Sequence, residues 1–186
     1  MKLSKHILAG TVAAALLLTL SSSAFSAEQN CRTFSAAAST EALVPVTRLE
    51  FVETLYEGAG SPTAYLDLPQ PFSDMEGANS AAAWAVHAGI VLGNGEGQFL
   101  PDTPVTREQA LVMLLRYDTA RNAGPSGAWA VAVPYTDAAN ASSWALEALM
   151  WNVIREYLVT DSMGNFNPQA ILTAAELEHT ISQLGK

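Results

Sequence analysis

The chain has a single cysteine, Cys31, so no disulfide can form within it and its stability must come from a packed core. Basic residues are scarce as well: nine Lys and Arg stand against eighteen Asp and Glu, for a formal charge of −9. Such an acidic surface repels nucleic acid and anionic lipid, which excludes both as partners. Any acidic ligand must then be met by a few well-placed arginines. Histidines number three, and no serine, cysteine or carboxylate pair stands in a recognisable nucleophile or metal setting. An enzyme is therefore not expected, and neither is a cofactor. The long apolar run at residues 7–20 falls short of the roughly 20 residues that a bilayer-spanning helix needs.

That run follows Lys2 and Lys5 and leads into the small residues at 21–27, the layout of a secretory signal peptide. Residues 1–27 are read as this leader, which makes the protein secreted, with no membrane contact after its removal. The remaining 159 residues suffice for one domain with a sizeable core. They carry seven basic against eighteen acidic side chains, a net of −11. Glu28, Gln29 and Asn30 precede Cys31, unlike the small apolar residues before a lipid-modified cysteine. Residues 28–44, rich in Ala and Ser, read as a flexible N-terminal arm.

The rest of the chain repeats itself. A shift of 67 residues lays Trp84 on Trp151, Gly97 on Gly164, Phe99 on Phe166, Pro101 on Pro168 and Thr106 on Thr173. A gap of four residues upstream, about one helical turn, brings Phe72-Ser73-Asp74 onto Tyr135-Thr136-Asp137 and predicts a longer helix in the second unit. A partial copy at Val46-Thr47-Arg48 precedes both. The domain then spans 45–186, with a partial repeat at 45–62, a repeat at 72–121 and a degenerate one at 134–184.

Each copy carries a capping box, Thr47 with Glu50, Thr106 with Gln109 and Thr173 with Glu176. Val46 with Phe51, and Leu172 with Leu177, have the spacing of a hydrophobic staple. Losing one of the capping threonines should cost on the order of 1 kcal/mol. Apolar residues recur at helical spacing behind each cap, which predicts three amphipathic helices meeting in a pseudo-threefold core. Asp74 and Asp137 suit helix caps or turn formers, and Phe99 and Phe166 suit plugs that pin the adjoining loops. A calcium loop in the turns at 93–97 and 160–164 is disfavoured, since each has one carboxylate.

The ordered combination of Phe72-Ser73-Asp74, Trp84 to Gly93, Gly97 to Pro101 and Val105 to Gln109 resembles the S-layer homology (SLH) domain family. The resemblance implies an all-α, pseudo-threefold spindle with a three-helix core and helical prongs, its first prong here missing or reduced. It also implies a cell-surface protein that binds secondary cell-wall polysaccharide noncovalently. In that family the arginine of the T-R-x-E motif binds a pyruvylated sugar in grooves between prongs, which points to Arg48 and Arg107 beside Thr47 and Thr106.

Each of these arginines follows a helix cap, where free amides and the helix dipole favour a carboxylate and a guanidinium adds a bidentate donor. The alternative for either is a surface arginine paired with a nearby acid. Arg107 is preferred, because the reduced first prong leaves the groove at Arg48 incomplete. Ala174 replaces the third motif arginine, and residues 156–160 replace the glycine-bearing segment that ends at Gly93. Both changes are read as the loss of one site. Trp84 is either a sugar-stacking face or core, while Trp144 suits an exposed contact. Arg116, further along the helix that starts at Arg107, is given no role. The rival reading is a cell-surface protein-interaction, self-association or assembly module that keeps this fold but has lost sugar binding.

Overall fold

The structure, a computed structural model, describes residues 44–65 and 67–184. The expected signal peptide, Cys31 and the arm up to residue 43 lie outside the described residues, and the expectation of a missing or reduced first prong falls on that stretch too. Five helices and no strand occur among the described residues: α1 (Arg48–Gly58), α2 (Ser80–His87), α3 (Arg107–Ala120), α4 (Leu146–Arg155) and α5 (Ala174–Gln183). Two 3-10 turns, Ala138–Asn140 and Ser143–Ala145, precede α4. The fold is all-α, as expected. No described helix is long and apolar enough to cross a membrane.

The starts of α1, α3 and α5 are set by their threonines. In each case the Thr hydroxyl accepts from the amide three residues on, and the Glu or Gln there accepts from the threonine amide. The residue before each cap then joins a ring. Val46 N donates to Leu172 O at 3.0 Å, Leu172 N to Val105 O at 2.8 Å, and Val105 N to Val46 O at 2.9 Å. One residue of each repeat thus donates to the preceding repeat and accepts from the following one, around the ring. The ring is the structural form of the pseudo-threefold relation, and its three apolar side chains are buried in the core.

The first-turn amides, expected to be free for an anion, are occupied. Arg48 N and Leu49 N donate to Thr103 O and Pro101 O, while Arg107 N and Glu108 N donate to Ala170 O and Pro168 O. A helix start closed by the next repeat's loop has no orphan donors left for a ligand. The arginine side chains must do any binding themselves.

Those loops are held by the expected plugs. Phe99 and Phe166 are fully buried, beside Phe72 and Tyr135 with ring centroids 5.2 and 5.1 Å apart. Burying such a ring contributes roughly 1.5–3 kcal/mol. Asp74 and Asp137 cap no helix with their side chains: α2 is capped by Asn79, and Asp137 makes no capping bond. Each clasps the loop instead. Asp74 accepts from Phe99 N and Leu100 N at 2.8 and 2.7 Å, and Asp137 accepts from Phe166 N and Asn167 N, both at 2.7 Å. Burial alone would raise the Asp74 pKa, but the two amides, with Arg48 nearby, turn it below the usual carboxylate value.

Helix α2 packs on α1, and α4 packs on α3. Helix α4 has ten residues against eight in α2, and the turn at Ser143–Ala145 runs directly into it, in line with the four extra residues of that unit. Asp118 on α3, fully buried, fastens this pair by accepting from Trp151 Nε1 at 2.8 Å and from the Tyr157 hydroxyl at 2.7 Å. Arg121 and Arg155 balance its charge at 3.0 and 3.3 Å. Burial first, then the bond to Asp118, pushes the Tyr157 pKa up to about 12.

Candidate ligand-binding groove

Each motif arginine reaches across to the repeat that follows it. Arg48 lies over the Phe99 ring, 5.3 Å from its centroid, and its Nε donates to Phe99 O at 2.8 Å. Arg107 lies over Phe166 at 4.5 Å, and its Nε donates to Phe166 O at 2.7 Å. The stem of each guanidinium is therefore fixed in the same way.

Their outer nitrogens differ. The Nη1 of Arg107 pairs with Oε1 of Glu176 and its Nη2 donates to Val159 O at 2.7 Å, so that all three nitrogens are engaged in a side chain only 6% exposed. Burial lowers its pKa, against the pull of Asp137, Tyr135 and Asp161. The cleft beside it, about 360 Å³, also presents the carboxylates of Asp161 and Glu176, a poor setting for an anion.

Arg48 is half-buried, its Nη groups bond no described residue, and it has no acid of the described residues within ion-pair distance. It lines a cleft of about 120 Å³ with Leu92 and Gly93 from the turn after α2, Gln109 and Arg116 from α3, and Trp144 from the turn before α4. Among the described residues, the groove at Arg48 is lined by Arg48 itself and by the two later repeats. By the same rule, residues 156–160 belong with Arg107 and not with Ala174: Val159 and Thr160 line the Arg107 cleft.

Arg48, Gly93 and Trp144 are brought together as a wall and floor, whereas Arg107 sits in the other cleft. Gly93 has a φ of +72°, and a Cβ there would lie 2.7 Å from Gln98 O and 2.9 Å from the Phe72 ring, so a larger residue cannot take its place unchanged. Trp144 is 56% exposed, an open aromatic face. Trp84 is core: it is buried between Tyr56 and Tyr117, 5.5 and 6.1 Å away, and lines neither arginine cleft. Thr47 and Thr106 serve as caps, which aims the following arginines.

The sequence alone gives five further residues of α3 no part in the groove. Gln109, Val112, Met113 and Arg116 face the cleft together, a stripe at the three-to-four spacing of one helix face that was legible in principle. Glu108, nearly fully buried, accepts from Ser142 N and Oγ, both at 2.9 Å, and from Gln169 Nε2 at 2.7 Å. It thereby anchors the segment that carries Trp144 two residues on.

Repeat-built helices thus meet at a ring of backbone bonds just before their caps, with a small cationic cleft between repeats, and no group of three or more His, Cys, Asp or Glu among the described residues is placed to hold a metal ion. The family model of the S-layer homology domain matches residues 71–111, and the chain carries an S-layer homology domain. It is also similar to an endoglucanase of Bacillus sp. (strain KSM-635), 30% identical over 146 residues. The match takes in 75% of this chain but 15% of that protein. S-layer homology domains are modules for attachment at the cell wall and cell surface, and this chain has one.

Proposed function

We propose that the chain is secreted and holds secondary cell-wall polysaccharide noncovalently, through the groove at Arg48, by an acidic sugar substituent such as a ketal-linked pyruvate. The observation that carries this reading is the state of the Arg48 guanidinium: Nε is fixed on Phe99 O, and both Nη groups are left in a cleft without an acid partner among the described residues. A planar fork held in this way suits the two oxygens of a carboxylate and loses little freedom on binding. Arg107 has spent the same donors on Glu176 and Val159, so the groove at Arg48 is the primary one and the groove at Arg107 contributes little. The binding is not catalytic, and its place is the cell surface.

The test is sedimentation of the purified chain with cell wall. Co-sedimentation with native wall, abolished when the polysaccharide is stripped, supports the reading. Equal sedimentation with both, or with neither, favours the protein-interaction module. That rival draws on exposed apolar side chains at the two clefts, Leu92 and Trp144 at one and Val159 and Ile171 at the other.

A further inference from the structure

Five arginines lie among the described residues, and three of them, Arg107, Arg121 and Arg155, sit in ion pairs with Glu176 or Asp118. The remaining two, Arg48 and Arg116, have no acid of the described residues within ion-pair distance, and both line the same cleft. They come from different repeats, yet they are close enough that Arg116 depresses the Arg48 pKa, after burial and against the pull of Asp74. Arg116 is half-buried, its own pKa is lowered by burial, and its one hydrogen bond among the described residues is a long 3.5 Å bond from Nη1 to Ile90 O. Two partly desolvated like charges without a counter-ion destabilise a fold. In a chain with eighteen acids, such a pair is out of place unless a ligand completes it.

The neighbouring groove shows the same positions without this feature. Shifted by 67 residues, Gln109, Arg116 and Gly93 become Glu176, Gln183 and Thr160, so the Arg107 groove has gained a carboxylate, lost a guanidinium and filled its glycine position.

We propose that Arg116 is the second cation of the Arg48 groove, so that one oxyanion substituent is clamped between two guanidiniums while its sugar ring rests on Trp144. This inference rests on the wall-binding reading above and names the ligand's chemistry more closely: a terminal carboxylate or phosphate group that projects from a sugar. A cleft of about 120 Å³ is well below the roughly 300 Å³ and more that enclose a whole small molecule, so it takes the charged substituent and leaves the ring outside. The exposed Trp144 face borders the opening, where a ring can stack on it. The free amide end of Gln109, whose Oε1 is engaged by Thr106 N, is a further donor in the cleft.

The experiment measures affinity of the purified chain for isolated wall polysaccharide at two salt concentrations, for the wild type, Arg116→Gln and Arg116→Lys, with circular dichroism to confirm folding. The expected result is a loss of roughly ten-fold or more in Arg116→Gln, with a weaker salt dependence, and recovery of most of the affinity in Arg116→Lys. Wild-type binding with Arg116→Gln within about two-fold of it would overturn this inference alone. No wild-type binding to native polysaccharide would overturn the wall-binding reading and this inference together. Two further arms separate the sources: loss of binding after chemical reduction of carboxyl groups identifies a carboxylate, and loss only after phosphate-ester cleavage identifies a phosphate. Binding retained after both treatments would overturn the clamp.

Discussion

Arg107 and Glu176, 69 residues apart in the chain, are joined by an ion pair across two repeats, while in the adjacent groove the matching position, in the cleft with Arg48, is Gln109. The carboxylate of Glu176, together with Val159 O, occupies the outer nitrogens of Arg107, whereas those of Arg48 bond no described residue. Gln109 and Glu176 serve equally well in the capping box, so the helix start tolerates either.

Glu176→Gln should therefore keep α5 folded and remove the acid that compensates Arg107. We expect a stability loss of about 1–2 kcal/mol, since the Glu176 side chain is 26% exposed and the pair is only partly desolvated. Wall binding should not rise, because Nε and Nη2 of Arg107 remain tied to Phe166 O and Val159 O. Denaturant unfolding and wall sedimentation of the same preparation check both statements.

Asp74→Ala removes two amide partners at once and leaves the Phe99–Leu100 backbone unclasped. The expected result is a lower urea midpoint, with Asp137→Ala behaving alike in the other unit. Unchanged stability in either variant would contradict the clasp.

Gly93→Ala meets both a left-handed φ of +72° and the close Gln98 carbonyl, whereas Gly97, at +75°, has open space at its Cβ. Both alanine variants should lose about 1 kcal/mol or more from backbone strain. Only Gly93→Ala should add a packing loss and weaken wall binding, because it shifts the floor of the Arg48 cleft. Comparison of the two melting curves isolates that difference.

The Asp161 carboxyl is held down to about 2 by the amide and side chain of Asn165, helped by Asn167 and Met163. Its folded value lies below the ordinary 3.8, so its contribution to stability is present above pH 3.8 and is lost as pH falls toward about 2. Asp161→Asn places there the residue type that Asn94 supplies in the other turn, where the side chain accepts from Glu96 N and Gln98 N. That variant should keep its fold and lose this part of the acid limb, as read from melting temperature against pH. An NMR titration midpoint for Asp161 near 4 would contradict the bonding described.

The caps were legible because each rests on residues three positions apart, where spacing alone dictates geometry, and the two phenylalanine plugs because each stands two residues before a proline in a short turn. The grooves were not, because their partners lie far apart. Arg48 meets Phe99 at a separation of 51 residues and Arg107 meets Phe166 at 59. Self-alignment places like residues on like positions, but it does not reveal that an arginine of one repeat faces the turn of the next. The sequence alone therefore pairs residues 156–160 with Ala174, although Val159 and Thr160 line the cleft of Arg107. The helix starts misled for a related reason: carbonyls of a neighbouring loop, invisible from the cap, fill the first-turn amides.

Wall sedimentation of Arg48→Gln beside Arg107→Gln, both confirmed folded, is the most direct test of the groove assignment. Binding should fall roughly ten-fold or more in Arg48→Gln and stay within a few-fold of wild type in Arg107→Gln. Loss in Arg107→Gln with full binding in Arg48→Gln would contradict it.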